Sequence, residues 1–317
     1  MASASFAPQR LTDPLMARLA YLGTPDLAVL PLQRLVEAGH EIALVVSQPD
    51  AKRGRGATML PSPVKQAALD LGLPVTDDLS AVGDAGVEMA VVVAYGRIIP
   101  TTLLEEVPMV NLHFSLLPRW RGAAPLERAI LEGDESTGVC VMGVEPALDT
   151  GPVYRLAEIA VGDKNLVTLQ DELSALGAEL LVTLLAGGTE ALPEPIPQVG
   201  EATYAKKITS DDLELNFNGA AIDAQRTIRL GRAFTWIDDK RLRVLEGRRA
   251  AAVGGAPGTL EGCVVATADG GLELVTVQPE GKRPIEAAAW RRGLRGEGPV
   301  VLGRGDRDRG PGPRLVP

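Results

Sequence analysis

The chain has 317 residues, of which 45% are apolar, with two cysteines, two histidines and a net charge of −9. That length supports one large or two ordinary domains. No apolar run approaches the roughly 20 residues that span a bilayer, and the opening MASASFAPQRLTDPLMAR has no apolar core of signal-peptide length, so membrane insertion and secretion are not expected.

Residues 1–15 are polar, contain prolines and show no period. They are expected to form a disordered extension. Met16 directly precedes the first apolar segment and is a candidate start of the native protein. RLAYLG then reads as a short strand ending at Gly23, and TPDLAVLPLQRLVEAGH as a helix with Gly39 at its C-terminal end. EIALVVSQPD is a continuous apolar strand of the kind buried on both faces of a parallel sheet. The pattern repeats: SPVKQAALDLG is a helix, LPVT a strand, VEMAVVVAYG a strand, PTTLLEEV a helix and MVNLHFS a strand. NLVTLQDELSALGAELLVTLLAGG is a long amphipathic helix that closes the series. This alternation predicts a Rossmann-like α/β domain, doubly wound on a mostly parallel sheet, over residues 16–192.

The proline-rich ALPEPIPQVGEATYAKK predicts an extended linker at residues 193–210. Beyond it the texture changes. LRVLEGRRAA, GTLEGCVVATADGG and LELVTVQPEG are short apolar runs broken by Gly and Asp-Gly. They predict antiparallel hairpins and a small, OB-like β-barrel over residues 211–317. Charge divides the same way. Residues 1–203 carry 13 basic and 26 acidic side chains, and residues 204–317 carry 19 and 15. A basic second half is a reason to expect a polyanion there.

Cys140 and Cys263 match no metal-ligand spacing and read as free thiols of a reducing cytoplasm. No metal site is expected. Gly23-Thr24-Pro25 follows the first strand but lacks G-x-G-x-x-G, which argues against dinucleotide binding. His40 follows the helix-ending glycine and is expected at the surface.

The most informative segment is Asn111–Pro125, NLHFSLLPRWRGAAP. Asn111 and His113 are two apart on a strand, so they point the same way. They stand at a strand's C-terminal end, where open α/β sheets bind ligands. Asp149, in LDTG, could complete an amide, an imidazole and a carboxylate suited to acyl-type transfer to an amine.

NLHFSLLPRWRGAAP with the later LDTG closely resembles the signature of the folate-dependent formyltransferases. GTPD, SQPDAKRGRGATMLPSPVK, VVVAYGRIIP, APGTL and GLELVTVQPEGKR extend the resemblance to the tRNA-modifying branch, over roughly residues 17 to 300. The resemblance implies transfer of the formyl group of 10-formyltetrahydrofolate to the α-amine of methionine on initiator tRNA; the sequence leaves the oligomeric state open, with a monomer favoured in the cytoplasm. It makes Asn111, His113 and Asp149 the catalytic set, with His113 either an oxyanion donor or a proton shuttle. Asp149 would orient His113 or hold a relay water. It places Ser115, Leu116, Leu117 and Pro118 along the folate site. It makes Lys52, Arg53 and Arg55 contacts to the tRNA, with the C-terminal barrel as a second tRNA-binding surface. Arg226, Arg229, Arg232, Lys240, Arg241, Arg243, Arg248 and Arg249 are candidates for phosphate contact there. Phe114 departs from the family pattern, which has a small residue, and its side chain is expected to face away from Asn111 and His113 and to pack rather than interfere. An amino-sugar nucleotide as acceptor is the nearest alternative; it leaves the KRGRG loop and the basic C-terminal half without a role.

Overall fold

Five segments of the N-terminal half form parallel strands, most of whose side chains are buried. They are Arg18–Gly23, Glu41–Val46, Val75–Thr76, Met89–Val93 and Met109–His113. Met89–Val93 is buried at every position, which accounts for its unbroken apolar sequence. A computed structural model describes residues 16–53, 58–294 and 299–303; the expected extension 1–15 lies outside them. Arg18–Gly23 is central, flanked by Glu41–Val46 and Met89–Val93. Two further strands, Ser136–Gly143 and Val153–Ala160, extend the sheet beyond Met109–His113. The first of them pairs antiparallel. Neither was expected from the sequence, because a short Gly-bounded run and a weakly alternating one carry little periodic signal.

Among the described residues, no helix is long and apolar enough to cross a membrane. Helix Pro63–Asp70 starts at Ser62, whose Oγ accepts from the Lys65 N–H at 3.0 Å, with Pro63 in the first turn. This is a standard capping arrangement. Helix Leu166–Leu185 lies against Leu112: a Cβ at Gly177 would stand 2.7 Å from Leu112 Cδ2. Glycine there lets the helix approach the sheet.

His40 corrects the expectation of a surface residue. It is buried, and its Nδ1 accepts the Ala17 N–H at 3.2 Å. A helix-ending turn at Gly39, with φ of +90°, folds it back over the first strand.

Packing divides the chain into two compact units. One gathers the described residues up to Gly122 with Gly138–Ile159 and Asp171–Tyr204. The other gathers Ala123–Thr137, Ala160–Gln170 and the described residues from Ala205 onward. The contiguous segments 16–192 and 211–317 remain our proposed domain division, and the packing units cut across it. In the second unit an antiparallel, barrel-like sheet runs in the order Phe234–Ile237, Lys240–Ala250, Gly271–Pro279, Val264–Ala266, Thr259–Glu261, Val300–Val301. Its core joins Leu242, Val244, Leu272 and Val277 to Ile228 of helix Ala221–Arg229 and to Trp290. The hairpin turn at Asp269-Gly270 also caps that helix, since Asp269 Oδ1 accepts the Ala221 N–H at 2.8 Å.

Burial holds the pKa of His40 below its ordinary value, with Glu88 pulling weakly the other way. The folded chain therefore takes up that proton less readily than the unfolded chain. The stabilising contribution is complete above the ordinary histidine pKa of about 6.5 and is lost as pH falls through that value toward the folded one. Thermal melts should show a smaller loss of stability on acidification for His40→Gln than for the parent.

Candidate active site

Strand Met109–His113 presents its two faces unequally. Leu112 points to the helix that carries Gly177, so alternation turns Asn111 and His113 to the opposite face. Register sets Asn111 beside Val92 and Met142, and His113 beside Cys140. Asn111 is half-buried and keeps access to the surface, whereas His113 is 6% exposed. Phe114, next along the chain, is buried.

The loop after His113 closes back on it. Leu117–Pro118 is a cis peptide, and Trp120 sits in the left-handed region with φ of +62°. That conformation aims the Trp120 carbonyl at His113 Nε2, 2.9 Å away. A carbonyl only accepts, so Nε2 carries a proton. His113 Nδ1 then faces Asp149 Oδ2 at 3.7 Å, too far for a direct hydrogen bond.

Asp149 is held in a tight turn, again left-handed with φ of +51°. Its Oδ2 accepts the Gly122 N–H at 2.7 Å. Gly151 admits no side chain, because a Cβ would fall 1.9 Å from the Gly143 carbonyl oxygen. Three consecutive residues therefore organise the site. Trp120 holds His113, Gly122 holds Asp149, and Arg121 donates through Nε at 3.1 Å and Nη2 at 2.7 Å to Gln198 Oε1. Gln198 and Thr203 belong to the segment expected to be a linker. Thr203 Oγ1 accepts the Trp120 N–H at 2.9 Å. Their part in the site carried no sequence signal, since they lie in a non-periodic, proline-rich stretch far from the motif.

Residues 17–185 match the family described as Formyl transferase, and residues 207–295 match Formyl transferase, C-terminal domain. A curated relative from Jannaschia sp. (strain CCS1), named methionyl-tRNA formyltransferase, is 42% identical over 294 residues, covering 88% of this chain and 97% of the relative. One of the same name from Dinoroseobacter shibae is 43% identical over 292 residues, covering 87% and 97%. The chain belongs to the methionyl-tRNA formyltransferase family. Its fold is similar to that of an N-formyltransferase from Helicobacter canadensis, solved with folinic acid and dTDP-3-aminofucose. The TM-score there is 0.64 at 16% identity, over 83% of this chain and 100% of that one.

Of the residues that the family resemblance assigns to folate, Ser115 is buried, and its Oγ donates to the Arg119 carbonyl at 2.6 Å. Its hydroxyl braces the loop. Leu117 packs against Cys140, Met142 and Val153. Leu116 lies against Gly138, and Pro118 against Gly200. Elsewhere on the strand-end edge, the Tyr95 carbonyl accepts from Thr24 Oγ1 at 3.0 Å and from Gln48 Nε2 at 3.2 Å. That contact ties the ends of three strands together.

Of the family's expected tRNA contacts, Lys52 is exposed on a hairpin, Ala51–Arg53 against Thr58–Leu60, where it pairs with Met59. The Arg53 side chain and all of Arg55 lie outside the described residues. The stem of this segment is anchored by an ion pair of Lys65 Nζ with Asp50 Oδ1 at 2.6 Å. Among the described residues, no group of three or more His, Cys, Asp or Glu side chains is placed to hold a metal ion. Cys140 stands beside His113 in the sheet. Burial pushes its thiol up to about 12, which makes it unreactive.

Most of the arginines proposed for phosphate contact are engaged within the second unit. Arg229 donates to the Gly162 and Lys164 carbonyls, Arg226 pairs with Asp223, and Arg248 pairs with Glu273. Arg232 lies 3.6 Å from Glu127, and Arg243 donates to Gln278 and the Gly231 carbonyl. Arg241 stacks over Phe234 at 3.7 Å. Lys240 and Arg249 are exposed. A basic count along the sequence overstates the free positive charge, because folding pairs it.

Removing the Ser115 hydroxyl deletes a short hydrogen bond inside the loop. Ser115→Ala should lose about 1 kcal/mol of stability, read as a lower urea midpoint.

Proposed function

We propose that the chain works as its family does, transferring a formyl group to the α-amine of methionine carried by initiator tRNA, with 10-formyltetrahydrofolate as donor. The match along both family regions and nearly the whole length of the relatives supports the tRNA acceptor. The observation that carries the chemistry is the fixed Nε2–H of His113, which leaves Nδ1 facing Asp149.

The amine attacks in its neutral form. Its lone pair forms the new bond to the formyl carbon, and the carbonyl electrons move to oxygen. In this reading the Asn111 carboxamide N–H donates to that oxyanion; one such donor is worth about 2.7–4 kcal/mol of transition-state stabilisation. His113 takes the proton from the attacking nitrogen at Nδ1 and returns it to the folate nitrogen as the oxyanion re-forms the carbonyl and that nitrogen leaves with the electrons of its bond to carbon. The Trp120 carbonyl holds the ring's orientation, and Asp149 faces Nδ1 and favours the charged ring while Nδ1 carries the proton. The loop Ser115–Pro118 supplies a rigid edge to the folate; Ser115 contributes through its backbone, its hydroxyl being engaged with Arg119. Lys52, Arg53 and Arg55 meet tRNA phosphates, which gives affinity and register rather than sequence discrimination. Because initiator tRNA is charged and used in the cytoplasm, we assign the enzyme to that compartment.

Purified protein with 10-formyltetrahydrofolate should formylate charged initiator tRNA and leave amino-sugar nucleotides untouched. Transfer to the sugar alone would sink this reading. His113→Ala should stay folded and lose roughly 10²–10⁴ in turnover, measured by formylation at saturating substrates.

Lys52→Ala should raise the KM for methionyl-tRNA without lowering kcat. It should also reduce the slope of log affinity against log salt by about one. Unchanged salt dependence would remove Lys52 from the phosphate contacts.

A further inference from the structure

We infer that Gln198 is a positioning residue for Asp149, and that Arg121 sets its orientation. The inference rests on the proposed role of Asp149 in formyl transfer. Gln198 Nε2 donates to two carbonyls of the turn, Asp149 O at 2.9 Å and Gly151 O at 2.8 Å. Its Oε1 receives both Arg121 contacts. A guanidinium has only donors, so it admits only the oxygen end of the carboxamide. The amide hydrogens are thereby directed at the turn, and the amide has a single orientation.

The turn needs such a restraint. Asp149 is a non-glycine residue at positive φ, a conformation that persists only when its surroundings over-determine it. Gly122 fixes the carboxylate through Oδ2, while Gln198 fixes the backbone that carries it. The two restraints come from neighbouring residues, Arg121 acting through Gln198 and Gly122 acting directly. They close a ring running Arg121, Gln198, Asp149, Gly122. The neighbouring bridge of Ile196 with Val153, with backbone hydrogen bonds of 2.8 Å in both directions, holds the Gln198 segment in register with the strand that leaves the turn. A residue in a stretch without periodicity, 49 positions from Asp149, thus sets the distance between Asp149 and His113.

Gln198→Glu separates positioning from tethering. A glutamate keeps its contact with Arg121 and strengthens it by charge, so the segment stays attached. It has no hydrogens to offer the Asp149 and Gly151 carbonyls. With 10-formyltetrahydrofolate and methionyl-tRNA, both Gln198→Glu and Gln198→Ala should lower kcat about tenfold to a hundredfold, with both KM values unchanged and melting temperatures close to the parent. A parental kcat for Gln198→Glu would overturn the inference, as would an effect confined to KM. So would loss of folding in both variants, which would make the segment structural. Asp149→Asn in the same assay distinguishes the two levels. Parental turnover for Asp149→Asn defeats the mechanism itself, whereas its collapse beside an unaffected Gln198→Glu defeats only the positioning role.

Discussion

The hydrogen bond from His113 Nε2 to the Trp120 carbonyl is the contact on which the site depends. It decides which nitrogen of the ring carries a proton and leaves Nδ1 facing Asp149, the atom that exchanges a proton in the proposed mechanism. It also requires the chain to return within seven residues of the strand end, with Trp120 in a left-handed conformation. The Ser115 hydroxyl and the Thr203 side chain hold that return from opposite directions along the sequence. Each ties the loop at the point where the carbonyl must aim at the imidazole. Packing of Leu117 against Cys140, Met142 and Val153 adds an apolar floor.

The sheet makes this possible by treating its strands differently. The parallel strands collect Thr24, Gln48, Tyr95 and His113 at one edge, as doubly wound folds do. The antiparallel partner Ser136–Gly143 then carries the chain back along Met109–His113 and delivers Asp149 from the turn that follows. Gly177 has a matching role on the helix side, where it leaves room for Leu112 and so pins the face to which Asn111 and His113 are directed.

The basic C-terminal half illustrates how folding redistributes charge. Arg229 is tied to backbone carbonyls, and Arg226 and Arg248 to carboxylates on their own unit. Exposed ion pairs of this kind contribute little stability, yet they lower the positive field offered to a polyanion. Exposed cations such as Lys52 on its hairpin then weigh more in the proposed tRNA contacts than their number suggests.

Much of this molecule was legible in its residues. The parallel strands announced themselves as unbroken apolar runs, the helices by their period and caps, and the C-terminal hairpins by Gly and Asp-Gly turns. Asn111 and His113 shared a face by strand alternation alone, and the motif around them indicated the family. Local pattern carries that information because it depends on neighbours within a few residues. It could not show that His40 is folded inward, that the strand carrying the chain from His113 to Asp149 runs antiparallel, or that Gln198 lies against the Asp149 turn. Nor could it assign the proton of His113. Those outcomes rest on contacts with no periodic signature, most of them between residues distant in the chain, and only the packed structure brings the partners within reach.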